Sequence, residues 1–310
     1  MAEKRPMQQV PHGLIQCPIT PFTPGNKVDL DLFGRVVEFQ MKQRCDGLGI
    51  NLHIAESLNL DSDERKALVE AAVEASAGRV PVIVNVSTPG TDQAVDFAKH
   101  AEKAGADAIL AISPYYWKPP IGALYEHFAA IISATGLPFI AYNSPLLMDG
   151  IGLTPDLLTR LMKQFPQFIG IKDASHNWDT FLTLGMVGRR IRPDFGMFAG
   201  VEWFIPSLTL GGVACMSILG GVTPKLIERL YEATKAGRLD EALPLQEQFA
   251  EIHVLAKAEY PAPTKAIWGL MGRPVGKPRL PNRPVSPDGI KTIEREFDRL
   301  GIFASEQHGW

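Results

Sequence analysis

The chain has 310 residues, 45% of them hydrophobic and 21% charged, with a formal net charge of −3. That balance is soluble, globular and near neutral: no basic excess favours nucleic acid, and no acidic tail suggests a charged partner. Cys17, Cys45 and Cys215 are too widely spaced for a disulfide framework or a metal site, and no run approaches the roughly 18 apolar residues of a membrane helix. Met1 to Pro11 is polar and lacks the apolar core of a signal peptide, so a reducing, cytoplasmic location is expected.

Gly13 to Ile19 reads as a first strand, closed by Thr20-Pro21-Phe22 and the turn Pro24-Gly25-Asn26. Asp29 to Gln43 has helical periodicity through Leu30, Phe33, Val36 and Val37, and Gly47 to Asn51 makes a second strand. Asp61 to Glu64 supplies cap-like acids before a helix running to about Ala77. Pro81 to Val86 is a third strand, rich in β-branched residues as a buried parallel strand should be. The alternation continues: helix Gln93 to Ala104, strand Asp107 to Ser113, helix Ala123 to Ala134, strand Pro138 to Tyr142, helix Thr154 to Phe165. Strand Phe168 to Lys172, helix Trp178 to Val187, strand Phe195 to Ala199, helix Val201 to Leu210 and strand Val213 to Ser217 complete it.

Eight strand–helix steps predict a (β/α)8 TIM barrel over 1–223, and no G-x-G-x-x-G follows the first strand to suggest an open dinucleotide-binding sheet. Segments Pro224 to Ala236, Leu239 to Ala258, Pro263 to Met271 and Asp288 to Leu300 then predict a C-terminal helical region, 224–310. It should pack on the barrel or on a neighbouring subunit.

In such a barrel the active site forms at the C-terminal ends of the strands. There strand 2 runs into Leu52-His53-Ile54-Ala55-Glu56-Ser57, strand 4 into Tyr115-Tyr116-Trp117-Lys118, and strand 5 into Tyr142-Asn143-Ser144-Pro145. Strand 6 ends in Lys172, strand 7 in Gly200, and strand 8 in Ser217 before Gly220-Gly221. An ammonium at the end of a buried strand is costly unless it is paired or its pKa falls. A lysine of lowered pKa is a nucleophile that condenses with a carbonyl to a Schiff base, and a neighbouring phenol can move the protons. The plainer alternatives are a strand-capping lysine whose head snorkels to water and a tyrosine bonded to backbone. Tyr115, Tyr116 and Trp117 equally suit an aromatic loop over the rim.

Ala106 to Leu110 with Pro114-Tyr115-Tyr116, then Tyr142-Asn143-x-Pro145, Gly170-Ile171-Lys172-Asp173-Ala174 and Pro261 to Leu270, occur in an order and spacing that resembles the dihydrodipicolinate synthase/N-acetylneuraminate lyase family. The likeness covers nearly the whole chain. It implies a class I aldolase-type lyase in which Lys172 forms a Schiff base with pyruvate or another 2-oxo acid and Tyr142 is the general acid/base. Tyr116 matches the tyrosine that joins the relay from a neighbouring subunit, which implies a homotetramer of tight dimers. Gly200 and the backbone at Met216 fall where the family lines the pyruvate site. No cofactor, membrane or nucleic-acid partner is implied.

Two departures bear on substrate. The family's second-strand G-T-T-G-E-S reads here Leu52-His53-Ile54-Ala55-Glu56-Ser57, so both hydroxyl residues are gone while Glu56 survives at the implied pyruvate end. His53 suits the role of donor and proton carrier, or that of a rim histidine bonded to backbone. A metal site from His53 and Glu56 has no further ligands at the strand ends. Two residues beyond Pro145, where authentic dihydrodipicolinate synthases carry an arginine for the second substrate's carboxylate, stands Leu147. An apolar surface in place of a bidentate clamp favours a fragment with an uncharged, apolar or aromatic end. Two other classes stay open: a phosphate-binding barrel isomerase using Gly200, Gly220 and Gly221, and a non-catalytic 2-oxo acid sensor on the same barrel.

Overall fold

Strands of four to six residues, buried at every position, alternate with helices in the computed structural model, which describes residues 10–310. Most of the Met1 to Pro11 stretch expected to lack a signal peptide therefore lies outside the described residues. The elements are β1 (Gly13–Gln16), α1 (Leu30–Lys42), β2 (Gly47–Ile50), α2 (Ser62–Ser76), β3 (Val82–Asn85), α3 (Thr91–Ala104), β4 (Ala108–Ile112) and α4 (Ile121–Ser133). They continue as β5 (Phe139–Asn143), α5 (Pro155–Gln164), β6 (Phe168–Asp173), α6 (Trp178–Ile191), β7 (Gly196–Ala199), α7 (Phe204–Thr209) and β8 (Ala214–Ser217). All eight strands pair in parallel in sequence order, and β1 closes on β8. The fold is a (β/α)8 barrel followed by further helices.

Local chemistry places the helix starts. Asp29 caps α1 by accepting from the Leu32 N–H, and Asp61 forms a reciprocal capping box with Glu64 at α2. Thr154 caps α5, whose first residue is Pro155. Strand 1 stops at Gln16, short of the expected Ile19, because Pro18 has no N–H for the ladder. Strand 2 leads into two 3₁₀ turns, His53–Ala55 and Ser57–Asn59, with Glu56 between them in the left-handed region at φ 54°.

Beyond β8 lie α8 (Pro224–Lys235), α9 (Leu239–Lys257), α10 (Ala262–Leu270), α11 (Pro287–Arg299) and α12 (Ile302–Ser305). One buried cluster takes in Leu14 and Ile112 of the barrel together with Leu226, Phe249, Trp268 and Phe297 of these helices. The helices of the region proposed at 224–310 share this buried cluster with the barrel strands.

On the buried face of α4, His127 bonds Thr91 Oγ1 at 2.9 Å, and burial pushes its pKa down to about 4. The unfolded chain protonates this imidazole near 6.5 and the fold does not. Stability from it is full above about 6.5 and is lost as pH falls toward 4. The buried carboxyls Asp173, Glu202 and Glu306, whose pKa values are raised by burial, act in the opposite sense. The test is therefore a difference: His127→Phe should shrink the loss of unfolding free energy between pH 7 and pH 5 by on the order of 1 to 2 kcal/mol. Urea unfolding at both pH values measures it, and an unchanged difference would contradict the assignment.

Candidate active site

At the C-terminal ends of the strands a cavity of about 560 Å³ opens to solvent. Lys172 and Tyr142 both line it, and both are buried, Lys172 being 5% exposed. Their common direction follows from register. In parallel β5 and β6, Tyr142 is paired with Lys172 and Asn143 with Asp173, so each pair shares a face of the sheet. The second pair locks the first. Asn143 Nδ2 donates to Asp173 at 2.6 Å, while the Ser175 N–H and hydroxyl donate to the same carboxylate at 3.1 and 2.7 Å. Burial raises the Asp173 pKa, and these donors partly offset it.

The Lys172 amine lies 3.7 Å from the centroid of the Tyr142 ring, and among the described residues no carboxylate pairs with it. Cation–π attraction, on the order of 1 kcal/mol, replaces an ion pair. Without a carboxylate, no ion pair has to be broken before the amine meets an incoming carbonyl.

His53 and Ile54 line the cavity from the 3₁₀ turn after β2. As the first residues of that turn, their N–H groups have no partner within it. The His53 ring centroid is 5.4 Å from that of Tyr142. Burial, then the Lys172 charge, push the His53 pKa down to about 4, so at neutral pH it offers one donor and one acceptor rather than a cation. Cys17 forms part of the floor, and its thiol is pushed up to about 12 by burial despite the nearby Lys172 charge. It is not a thiolate nucleophile.

Glu56 does not belong to the cavity, which corrects the expectation drawn from its motif. The left-handed residue reverses the chain, and the carboxylate points into the protein, 2.6 Å from Lys265 and accepting the Arg279 N–H at 2.9 Å. Both side chains of the pair are buried, and burial brings Lys265 down to about 8 against the pull of Glu56. Removing either partner would leave a buried charge, a loss of about 3–5 kcal/mol. Glu56 thus ties the His53 turn to the C-terminal segment.

Gly200 and Met216 line the opposite wall. A Cβ on Gly200 would stand 2.5 Å from the Ala174 Cβ, so only glycine lets β7 approach the end of β6 this closely. Leu146 and Leu147 sit at the rim, Leu147 being 60% exposed, whereas Met148 is buried beneath them. Tyr116 does not line the cavity of its own chain. It is 88% exposed, at φ 77°, with its ring edge-on to Trp117 at 5.0 Å.

The strand ends alone did not point to His176, His253, Lys257 and Tyr260, which also line the cavity. Three of them come from the end of α9 and the turn after it. Among the described residues no group of three or more His, Cys, Asp or Glu could hold a metal, and no helix is long and apolar enough to cross a membrane.

A lysine amine buried against a tyrosine at the mouth of a parallel barrel defines a class I, Schiff-base type of lyase site. The profile of the dihydrodipicolinate synthetase family matches residues 10–299, and the chain belongs to that family. It is 39% identical over 242 residues, 78% of this chain and 81% of the relative, to a 4-hydroxy-tetrahydrodipicolinate synthase of Rhizobium meliloti (strain 1021). A 4-hydroxy-tetrahydrodipicolinate synthase of Chelativorans sp. (strain BNC1) is 33% identical over 292 residues, 94% of this chain and 98% of its own. A prophage protein of the family from E. coli K12, solved in complex with pyruvate, superposes with a TM-score of 0.88 at 27% identity, covering 94% of this chain and 99% of its own.

Proposed function

We propose that the chain is an aldolase, hydratase-aldolase or dehydratase in which Lys172 forms the Schiff base with pyruvate or another 2-oxo acid and Tyr142 carries the protons. The observation that supports this most is the unpaired, buried Lys172 amine over the Tyr142 ring, open to the cavity. The amine adds to the C2 carbonyl to give a carbinolamine, and the Tyr142 hydroxyl protonates the departing hydroxyl, which leaves as water. In the resulting iminium the Tyr142 phenolate takes the proton of the C4 hydroxyl, the C3–C4 bond breaks to release the aldehyde, and its electron pair passes to the positive nitrogen. The enamine so formed is reprotonated at C3, and water hydrolyses the iminium to free pyruvate and the Lys172 amine. The nearness of the neutral His53 ring, its centroid 5.4 Å from that of Tyr142, supports a part for it in the proton relay. The free N–H groups of His53 and Ile54 suit the substrate carboxylate, with Gly200 and Met216 as the facing wall.

The relatives are named 4-hydroxy-tetrahydrodipicolinate synthases, but Leu147 argues for a different second fragment here, one with an uncharged end. A homotetramer of tight dimers is the proposed assembly. The exposed Tyr116 and Trp117, the former held in a strained left-handed backbone, support it as a surface that a second copy covers. Light scattering that found a fully active monomer would overturn it.

Borohydride reduction in the presence of pyruvate tests the reaction. A stable mass increase on the Lys172 peptide is expected, absent in Lys172→Ala. Reduction at another lysine, or at none, rejects the mechanism. An adduct without turnover of any 2-oxo acid would favour the sensor alternative.

A further inference from the structure

The wall of the cavity built by α9 has no role in the chemistry above. His253 is only 9% exposed, and its ring is stacked on Phe249 at 5.4 Å and edge-on to Trp203 at 6.0 Å, which fixes its orientation. It lines the cavity, yet no protein group hydrogen-bonds its ring nitrogens among the described residues. Lys257, one turn on along α9, and His176, from the left-handed turn before α6, line the same side. Burial first, then Lys257, lower both imidazoles, His253 to about 4, while Asp173 pulls His176 the other way. Both rings are therefore neutral at pH 7. Glu259 lines the cavity too, so Lys257 is not the sole charged side chain on this wall.

A neutral imidazole held in a fixed orientation on the cavity wall, with no protein partner, offers a ligand one donor and one acceptor. The ligand group that satisfies it is one that can both give and take a hydrogen bond. Leu146 and Leu147 line the cavity as well and can shelter an apolar body. We propose that His253, with His176 beside it, binds a hydroxyl group at the far end of the second fragment. The substrate class is then an uncharged hydroxyaldehyde with an apolar body, or the 2-oxo acid that releases it. This rests on the Schiff-base reading for what occupies the other end of the cavity.

The probes are benzaldehyde, 3-hydroxybenzaldehyde and 3-carboxybenzaldehyde, titrated calorimetrically into enzyme whose pyruvate adduct has been reduced with borohydride, and into untreated enzyme. The hydroxylated probe should bind about tenfold more tightly than the other two, because its loss leaves the imidazole unpaired. His253→Phe, which keeps the stack, should erase that preference, and His253→Gln should restore part of it. Melting temperatures confirm that each variant is folded. The proposal is overturned if the carboxylated probe binds best, which would make Lys257 an anion anchor. Equal or undetectable binding of all three, or a preference that survives His253→Phe, also overturns it. Failure of borohydride trapping falls on the proposed reaction instead, since the ranking is read on untreated enzyme too.

Discussion

Tyr142→Phe should lower kcat by about 10²- to 10⁴-fold, the range for removing a positioned general acid/base. Lys172 should still form a trappable adduct, but slowly. The substitution removes one atom. The ring that lies under the Lys172 amine stays, as does its packing between β4 and β6, so the amine keeps its place and the fold its stability. What goes is the only hydroxyl on the ring beneath the nucleophile. Carbinolamine dehydration and C–C cleavage both need a proton moved there, so single-turnover rates should fall at both steps. Lys172→Ala separates the roles, losing adduct and turnover together. If Tyr142→Phe keeps kcat within threefold of wild type at an unchanged melting temperature, the proton takes another route. His53, 5.4 Å from the same ring, is then the group to replace next.

The barrel was legible because its signals are local. The strand–helix step recurs eight times, and the side-chain caps that open α1, α2, α5 and α6 and the Gly105 stop of α3 need only neighbouring residues to act. Lys172 and Tyr142 were legible for a related reason, since a buried strand that ends in a polar residue leaves little choice of where that residue points. Glu56 was misplaced because its direction depends on a left-handed backbone and on Lys265, more than two hundred residues away, neither of which shows in the motif. His253 and Lys257 are four apart on α9, a spacing that in sequence looks the same whether the face meets water or closes a cavity. Only the packing of α9 against α7 and the barrel decides it. Tyr116 carries the opposite lesson, a residue recognised by resemblance whose proposed partner lies on another chain.

Aspartate semialdehyde should be at least tenfold worse in kcat/KM than an uncharged aldehyde, and Leu147→Arg should raise its kcat/KM by about tenfold to a hundredfold. A carboxylate entering the cavity sheds water at a cost of several kcal/mol unless fixed donors or a cation replace it. Leu146, Leu147 and the buried Met148 supply none, though they can shelter apolar surface at about 25 cal/mol per Å². Lys118, the nearest cation on the adjoining loop, is already paired with Asp149 and is exposed outside the cavity. Lys257 does line the cavity, but on the α9 wall with His253 and His176 rather than at the 147 position. An arginine at 147 fits because the rim side chain it replaces is mostly exposed, and the turn is held by the Leu147 N–H to Ser144 carbonyl bond at 3.0 Å. A hydrogen bond to a charged group contributes about 1.5–3 kcal/mol, which sets the expected gain. Steady-state kinetics on wild type and Leu147→Arg, with pyruvate saturating, decide the matter. If wild type already prefers aspartate semialdehyde by more than tenfold, Lys257 is anchoring its carboxylate, and the substrate argument fails even with Lys172 as the nucleophile.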